Sequence, residues 1–329
     1  MFIRSRPENL ALQGRDNQRP LEYHFRQAPV FGPEKLIRYA QRINLWPLVI
    51  TSILIFLCFI SNLAAQERQE DCQQRIDATL RYIPSRSAKA MSGKIEIIES
   101  ESEYSYEFKV FDKFPVKFSV APQYIGIENT TEVELPAHLT GLTTDIETTL
   151  PFFNFDKTYL RLGISPSFYG EDWDFQTSNF RIPMRYFLIH QPNDQWTFIG
   201  GVAVYPDFEN EILPILGFIY RPNDRLVFNI IPKKPNISYI VNNRVTLFAE
   251  GGSSSNSEFE VTKDNLKNVV LRYKQMRLGS GIKFKLNKFI QSSISAGAVF
   301  NRTLKYRDSL GKVNLKDGFY TEFRIEMGL

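Results

Sequence analysis

Two histidines, His138 and His190, lie downstream of the only long apolar run in this 329-residue chain, and they limit its imidazole chemistry. His138 opens one strand-like segment and His190 closes another at the opposite end. Ten residues of strand separate such ends by roughly 30 Å, so the two cannot share a metal ion or a proton relay. A Ser/His site would have to use one of them alone, and nothing in the sequence marks its nucleophile. Oxygen ligands of the kind Ca²⁺ takes gather at Glu171, Asp172 and Asp174, and again at Glu128, Glu132 and Glu134. Both groups sit in polar connections, where carboxylates are ordinarily solvated. Gly279-Ser280-Gly281 interrupts a strand pattern and reads as a bend or bulge before it reads as a phosphate cradle. Lys233 and Lys234, between Pro232 and Pro235, form a stiff basic tip able to touch phosphates and otherwise simply solvated. Cys58 falls in a segment expected to be removed, which leaves Cys72 without a partner for a disulfide or a Cys-based zinc site. No catalytic residue, metal or cofactor is expected, and the chain is not read as an enzyme.

A second set of charges is more informative. Glu107, Lys109, Arg161, Arg181, Arg185, Lys283, Lys285, Glu322, Arg324 and Glu326 alternate with apolar residues along extended segments. Side chains of a strand point to opposite faces in turn. If the apolar face meets lipid, these ten point into a lumen, where mixed signs either line a water-filled pore or pair into a plug.

Such placement requires many strands of even polarity, and the sequence supplies them. Tyr104, Tyr106, Phe108 and Val110 interleave with Ser105, Glu107 and Lys109, and the chain ends on Phe323, Ile325, Met327 and Leu329 against Glu322, Arg324 and Glu326. Period 2 holds almost everywhere from residue 94 on, with strands about ten residues long, the length a tilted strand needs to cross a bilayer. The stretch Gln191–Gly252 sets the rhythm. Pro192-Asn193-Asp194, Pro222-Asn223-Asp224 and Asn242-Asn243 each precede a β-rich run within two residues. Turns of one chemistry at every second connection belong at one end of an up-and-down sheet. Connections near 112–113, 151–157, 191–194, 222–224, 242–243 and 287–288 are mostly short. Those near 128–137, 170–179, 206–211, 232–235, 252–267 and 303–318 are mostly longer. Short on one side and long on the other is the asymmetry of an outer-membrane barrel, short turns facing the periplasm. The count is 14 strands, or 12 if a hairpin at 94–111 lies outside the wall, with both ends of the barrel on the periplasmic side.

Upstream, residues 45–65 form the apolar run, preceded by Arg38 and Arg42 and closed by Ala64-Ala65. A basic flank, an apolar core and a small-residue end are the parts of a secretory signal. The stretch Trp46–Ile60 is 15 residues, interrupted by Pro47, against about 20 for a spanning helix. The segment before it is long for a signal, so translation is expected to begin near residues 36–45. Residues 1–66 hold 8 Lys/Arg and 4 Asp/Glu, which leaves 32 of each in residues 67–329. A neutral exported chain has no electrostatic case for nucleic acid. Residues 67–93 read as a polar, flexible or weakly helical periplasmic leader. Aromatics make up 14% of the chain, with 27 Phe and 15 Tyr, and they concentrate near strand ends, where a membrane barrel places them.

The segments R-P-N-D-R-L-V-F-N-I-I-P, I-S-Y-I-V-N-N-R-V-T-L-F-A-E-G-G, R-L-G-S-G-I-K-F-K-L and A-G-A-V-F-N-R resemble a family of uncharacterised bacterial outer-membrane β-barrels. The resemblance covers roughly residues 100–329 and implies a fold and a location; it carries no functional residues.

The expected architecture is therefore all-β: residues 1–66 as extension and cleaved signal, 67–93 as leader, and 94–329 as a transmembrane antiparallel up-and-down barrel of 12–14 strands. Its expected partners are outer-membrane lipid, the barrel-insertion machinery and small solutes passing through a channel. The alternative is a closed structural or surface-binding barrel acting through its outer loops. Cleavage is expected after Ala65 or Gln66, which N-terminal sequencing of the exported protein checks directly.

Overall fold

The computed structural model describes residues 73–328, apart from 112, 154, 174–176, 207, 209–210, 233, 255–256, 264–265 and 308–309. The expected signal, both cysteines, Asp174 and Lys233 lie outside the described residues. In chain order the strands are β1 (Gln73–Ser87), β2 (Lys94–Val110), β3 (Phe114–Asn129), β4 (His138–Pro151), β5 (Thr158–Ile164) and β6 (Ser167–Gly170). They continue as β7 (Phe180–Arg181), β8 (Met184–His190), β9 (Trp196–Val204), β10 (Ile212–Asn223), β11 (Leu226–Ile230) and β12 (Asn236–Asn242). The last are β13 (Val245–Ser253), β14 (Ser257–Lys263), β15 (Leu266–Lys285), β16 (Ile290–Tyr306), β17 (Lys312–Asn314) and β18 (Gly318–Gly328).

Neighbouring strands pair antiparallel, and β1 pairs with both β2 and β18, from Arg75↔Gly328 to Tyr82↔Thr321, so the sheet closes on itself. Closure removes the unpaired edge that an open sheet exposes. Four wall strands are each interrupted once, as β5/β6, β7/β8, β13/β14 and β17/β18, which makes the wall 14-stranded. Pro166 and Pro183 account for two of the interruptions. They lack the N–H that a ladder needs, and their carbonyls accept from Thr144 and Ser165.

Two expectations need correcting. Residues 73–87 are not a loose leader; they form β1, the strand that closes the barrel. Nor is 94–111 a hairpin, because β2 runs unbroken for 17 residues. The barrel reaches 14 strands with β1 in place of the supposed extra hairpin strand. The physical reason is the same in both cases. Arg75, Asp77, Thr79 and Arg81 do alternate with Ile76, Ala78, Leu80 and Tyr82, but their polar face turns into a polar lumen and so resembles a solvated segment. In β2 the run Glu99-Ser100-Glu101-Ser102 puts polar residues on both faces and imitates a turn.

The short turns are built alike. The side-chain carbonyl of Asn193 accepts from the backbone N–H groups of Gln195 and Trp196, both at 3.0 Å. Asn223 does the same for Arg225 and Leu226, Asn242 for Arg244 and Val245, and Asn287 for Phe289 and Ile290. An asparagine three residues ahead of a strand thus satisfies two amides that the tight reversal would leave unpaired.

The outward face is apolar. Leu216 is 78% exposed and Leu278 60%, with Phe319, Ile294 and Leu247 on the same side. Near the short-turn end Trp196 stacks on Phe198 at 5.4 Å and on Tyr220 at 4.2 Å, and Tyr220 faces Phe228 at 6.0 Å. Exposed apolar strand faces with an aromatic cluster at one rim suit a hydrocarbon layer and its interface.

Wall height is uneven. β2, β3, β15 and β16 run 16 to 20 residues, whereas β11 has 5 and β12 has 7. A membrane crossing takes about 10, so the tall side projects beyond the bilayer. Its inward residues there cannot rely on lipid and bury one another: Ile83, Ile95, Ile97, Ile125, Leu139, Phe259, Leu271, Leu304 and Tyr306 form the apolar core. Phe259, on the β14 segment, packs edge-on against Tyr169 at 5.7 Å.

Asn223→Ala is expected to destabilise the refolded barrel by about 1 kcal/mol, read as a lower urea midpoint with an unchanged slope. A chain beginning at residue 91, lacking β1, is expected to give no heat-modifiable folded band on a gel, whereas one beginning at residue 67 does.

Candidate functional site: the lumen and its ion-pair partition

Alternation carries every second residue of the tall wall inward, and these side chains fall into three layers. Outermost is the apolar core. Beneath it lies a layer of buried ion pairs. Below that, toward the short turns, the charges are half-exposed.

The middle layer centres on Glu99 of β2, which is 2% exposed. Its Oε1 accepts from the Tyr273 hydroxyl and from Gln275 Nε2, each at 2.6 Å. Its Oε2 takes Arg81 and, at 3.1 Å, Arg277 Nη1. Arg81 Nε also donates to Glu322 at 2.8 Å. Glu322 in turn pairs with Arg324, which reaches Glu250 on β13 at 3.3 Å. The chain of contacts runs from β2 through β1 and β18 to β13, and from β2 directly to β15. Those last two strands are separated along the wall by β16, β18 and β1, so the contacts to Tyr273, Gln275 and Arg277 cross the lumen.

Glycines make the layer possible. A Cβ at Gly279 would overlap the Tyr320 hydroxyl, and one at Gly281 would overlap the Phe248 ring. Gly279-Ser280-Gly281 is therefore neither bend nor bulge; both glycines stay in register with β13 and β16 and leave room inside. The irregularity of this strand lies elsewhere, between Lys274 and Met276.

The lower layer contains most of the charges expected from the sequence. Lys283 Nζ meets Glu326 at 2.8 Å, and Arg75 meets the same carboxylate at 3.3 Å. Arg185 pairs with Asp145, and Arg161 Nε lies 3.5 Å from Glu147. Lys117 bridges to Glu103 at 3.0 Å. Glu107, Lys109 and Lys285 are exposed at the short-turn rim, with Glu107 opposite Lys117 in the ladder. Arg181 stands apart at the outer end, its Nη1 donating to the carbonyls of Ser178 and Phe180. Glu322 and Arg324 belong to the buried layer.

The sequence reading missed Arg81, Glu99, Glu250, Gln275 and Arg277. Alternation with apolar neighbours is the signal that could have found Arg81 and Arg277, but the first lay in the supposed leader. Glu99 follows Ile97-Ile98 and opens the polar run Glu99–Glu103, which imitates a turn and hides the strand.

The remaining candidates hold other partners. His138 Nε2 lies 2.7 Å from Asp172, and His190 Nδ1 lies 3.0 Å from Thr158 Oγ1. His138 begins β4 at the outer end and His190 ends β8 at the short-turn end, as the turn pattern implies. Glu171 accepts from the Thr262 amide at 3.1 Å. Among the described residues no group of three or more His, Cys, Asp and Glu is arranged to hold a metal. Lys234 is exposed, in the opposing fields of Arg324 and of Glu250, Glu322 and Glu101.

Removing one partner of a buried pair leaves the other uncompensated. Glu99→Ala is expected to lose about 3–5 kcal/mol of stability, and Arg81→Met combined with Glu99→Leu to recover part of it, both by urea unfolding of the refolded barrel.

No curated protein matches the chain. Several solved structures match at low identity. The deltaS2S3 mutant of the monoaromatic hydrocarbon channel TodX is 8% identical, with a TM-score of 0.46 over 79% of this chain and 90% of that one. An outer-membrane channel from Pseudomonas putida F1 is 10% identical, with a TM-score of 0.44 over 79% and 95%. A Pseudomonas aeruginosa FadL homologue is 11% identical, with a TM-score of 0.45 over 79% and 90%. The barrel itself is established by this chain's own strand pairing. Within that closed 14-stranded barrel of outer-membrane type, residues 174–327 match the model of the family described as a domain of unknown function (DUF6268).

Proposed function

We propose that the protein is an outer-membrane channel for small solutes, held shut in this conformation by the partition around Glu99. The observation that carries this reading is the position of the partition. A layer of largely buried ion pairs separates a half-exposed charged vestibule on the short-turn side from an apolar cap on the long-loop side. Filling a static plug with ions is a poor route to stability, since well-packed apolar side chains of the same volume often do as well or better. Charges that re-pair or hydrate when the partition opens suit a path for solutes. The apolar belt, the aromatic rim and the asymmetry of the connections support residence in an outer membrane.

The apolar cap favours a second reading, a permanently closed barrel that works through its outer loops. Liposome swelling with refolded protein separates the two. Graded sugars are expected to enter up to a size limit, and Glu99→Ala to raise the rate several-fold. Protease-protected insertion with no swelling, in both the wild type and the variant, would leave the closed barrel standing.

A further inference from the structure

Among the described residues of the outer cap, Arg302 makes no ion pair or hydrogen bond through its guanidinium. Asn301 has φ +52°, a left-handed backbone angle inside β16, and the ladder to β15 slips there between Lys274 and Met276. The extra residue switches the alternation. Below it Val299 faces inward; above it Arg302, Leu304 and Tyr306 do. A bulge of this kind re-aims side chains. Here it turns an arginine into an apolar core where regular pairing would have pointed it outward.

Arg302 is 1% exposed, and its Nε, Nη1 and Nη2 find no hydrogen-bond partner. The Nε of Arg86, on β1, is likewise buried and unpartnered, and its guanidinium sits 5.8 Å from the Phe319 ring. Arg302 lies in the field of Tyr273 and Glu99, with Arg86 opposing them and Asp317 acting more weakly. Glu99 already accepts from Arg81, Arg277, Tyr273 and Gln275. Gln275, opposite the bulge, has its Oε1 buried without a donor. A buried guanidinium without an acceptor is costly, and a second cation nearby raises the cost.

We propose that Arg302 is the binding site for a small oxyanion, a carboxylate or phosphate, within the outer cap, with Arg86 adding its positive field. The planar fork of Arg302 matches two oxygens of such a group. Gln275 Oε1 offers an acceptor to an anion that also carries an O–H, such as hydrogen phosphate. This site goes beyond the channel reading and does not require that the lumen conduct.

The test is calorimetric titration of the refolded barrel in detergent micelles with sodium phosphate and with sodium acetate, against sodium chloride at matched ionic strength. Saturable one-site binding of at least one oxyanion is expected, weakened roughly tenfold or more in Arg302→Met and less in Arg86→Met. No saturable binding to the wild type would overturn the site and leave ordered water as the partner of Arg302. Equal binding of chloride, or an Arg302→Met affinity within about twofold of wild type, would overturn it too. If Arg302→Met does not refold, Arg302→Lys keeps the charge and loses the fork; unchanged affinity in both Arg302→Lys and Arg86→Met would be fatal to the proposal. Because binding is read in micelles, it succeeds or fails independently of swelling.

Discussion

The Glu99 carboxylate is the contact on which the interior of this barrel depends. Four donors from two strands, β1 and β15, converge on it, and those from β15 arrive across the lumen and not along the wall. A single buried carboxylate in an apolar surrounding would be costly; with its lone pairs occupied and two guanidinium groups beside it, the charge is compensated. The compensation is mutual. Arg81 is held by Glu99 and Glu322, Arg324 by Glu322 and Glu250, so loss of one carboxylate exposes cations at both ends of the chain. This coupling is what makes the partition behave as a unit.

The layers above and below follow from wall height. Strands on the tall side leave the bilayer before they end, and their inward faces change from charged to apolar at that level. Below the change, charges stand near enough to the open short-turn side to remain hydrated, and their pairing is loose. Above it, water is displaced by isoleucine, leucine and tyrosine side chains. The ion-pair layer lies at the boundary, too deep for free hydration and too polar for the core, and only dense mutual pairing makes that position tolerable.

Turn chemistry fixes the opposite end. Four asparagines each accept from two backbone amides, and they all lie on the short-turn side, where one residue type repeats because one geometric problem repeats. That repetition made the turns legible from the sequence and with them the polarity of the barrel. The tall-wall strands were harder to read. β1 and β2 are polar because they face a charged lumen, and a local reading cannot distinguish a lumen from bulk water.

The sequence by itself determined the strand period, the alternating short and long connections, the even strand number and the inward parity of charges such as Arg161, Arg185, Lys283 and Glu326. Each of these is written in neighbouring residues, because a strand alternates at a spacing of two and a turn needs its own amides satisfied. Only the tertiary structure decided which strands close the barrel, that Glu99 meets Tyr273, Gln275 and Arg277 across the lumen, and that a bulge at Asn301 turns Arg302 inward. Those outcomes depend on register, on strand height and on residues more than 170 positions apart in the chain. Distances of that kind are set by closure of the sheet and leave no local pattern to read.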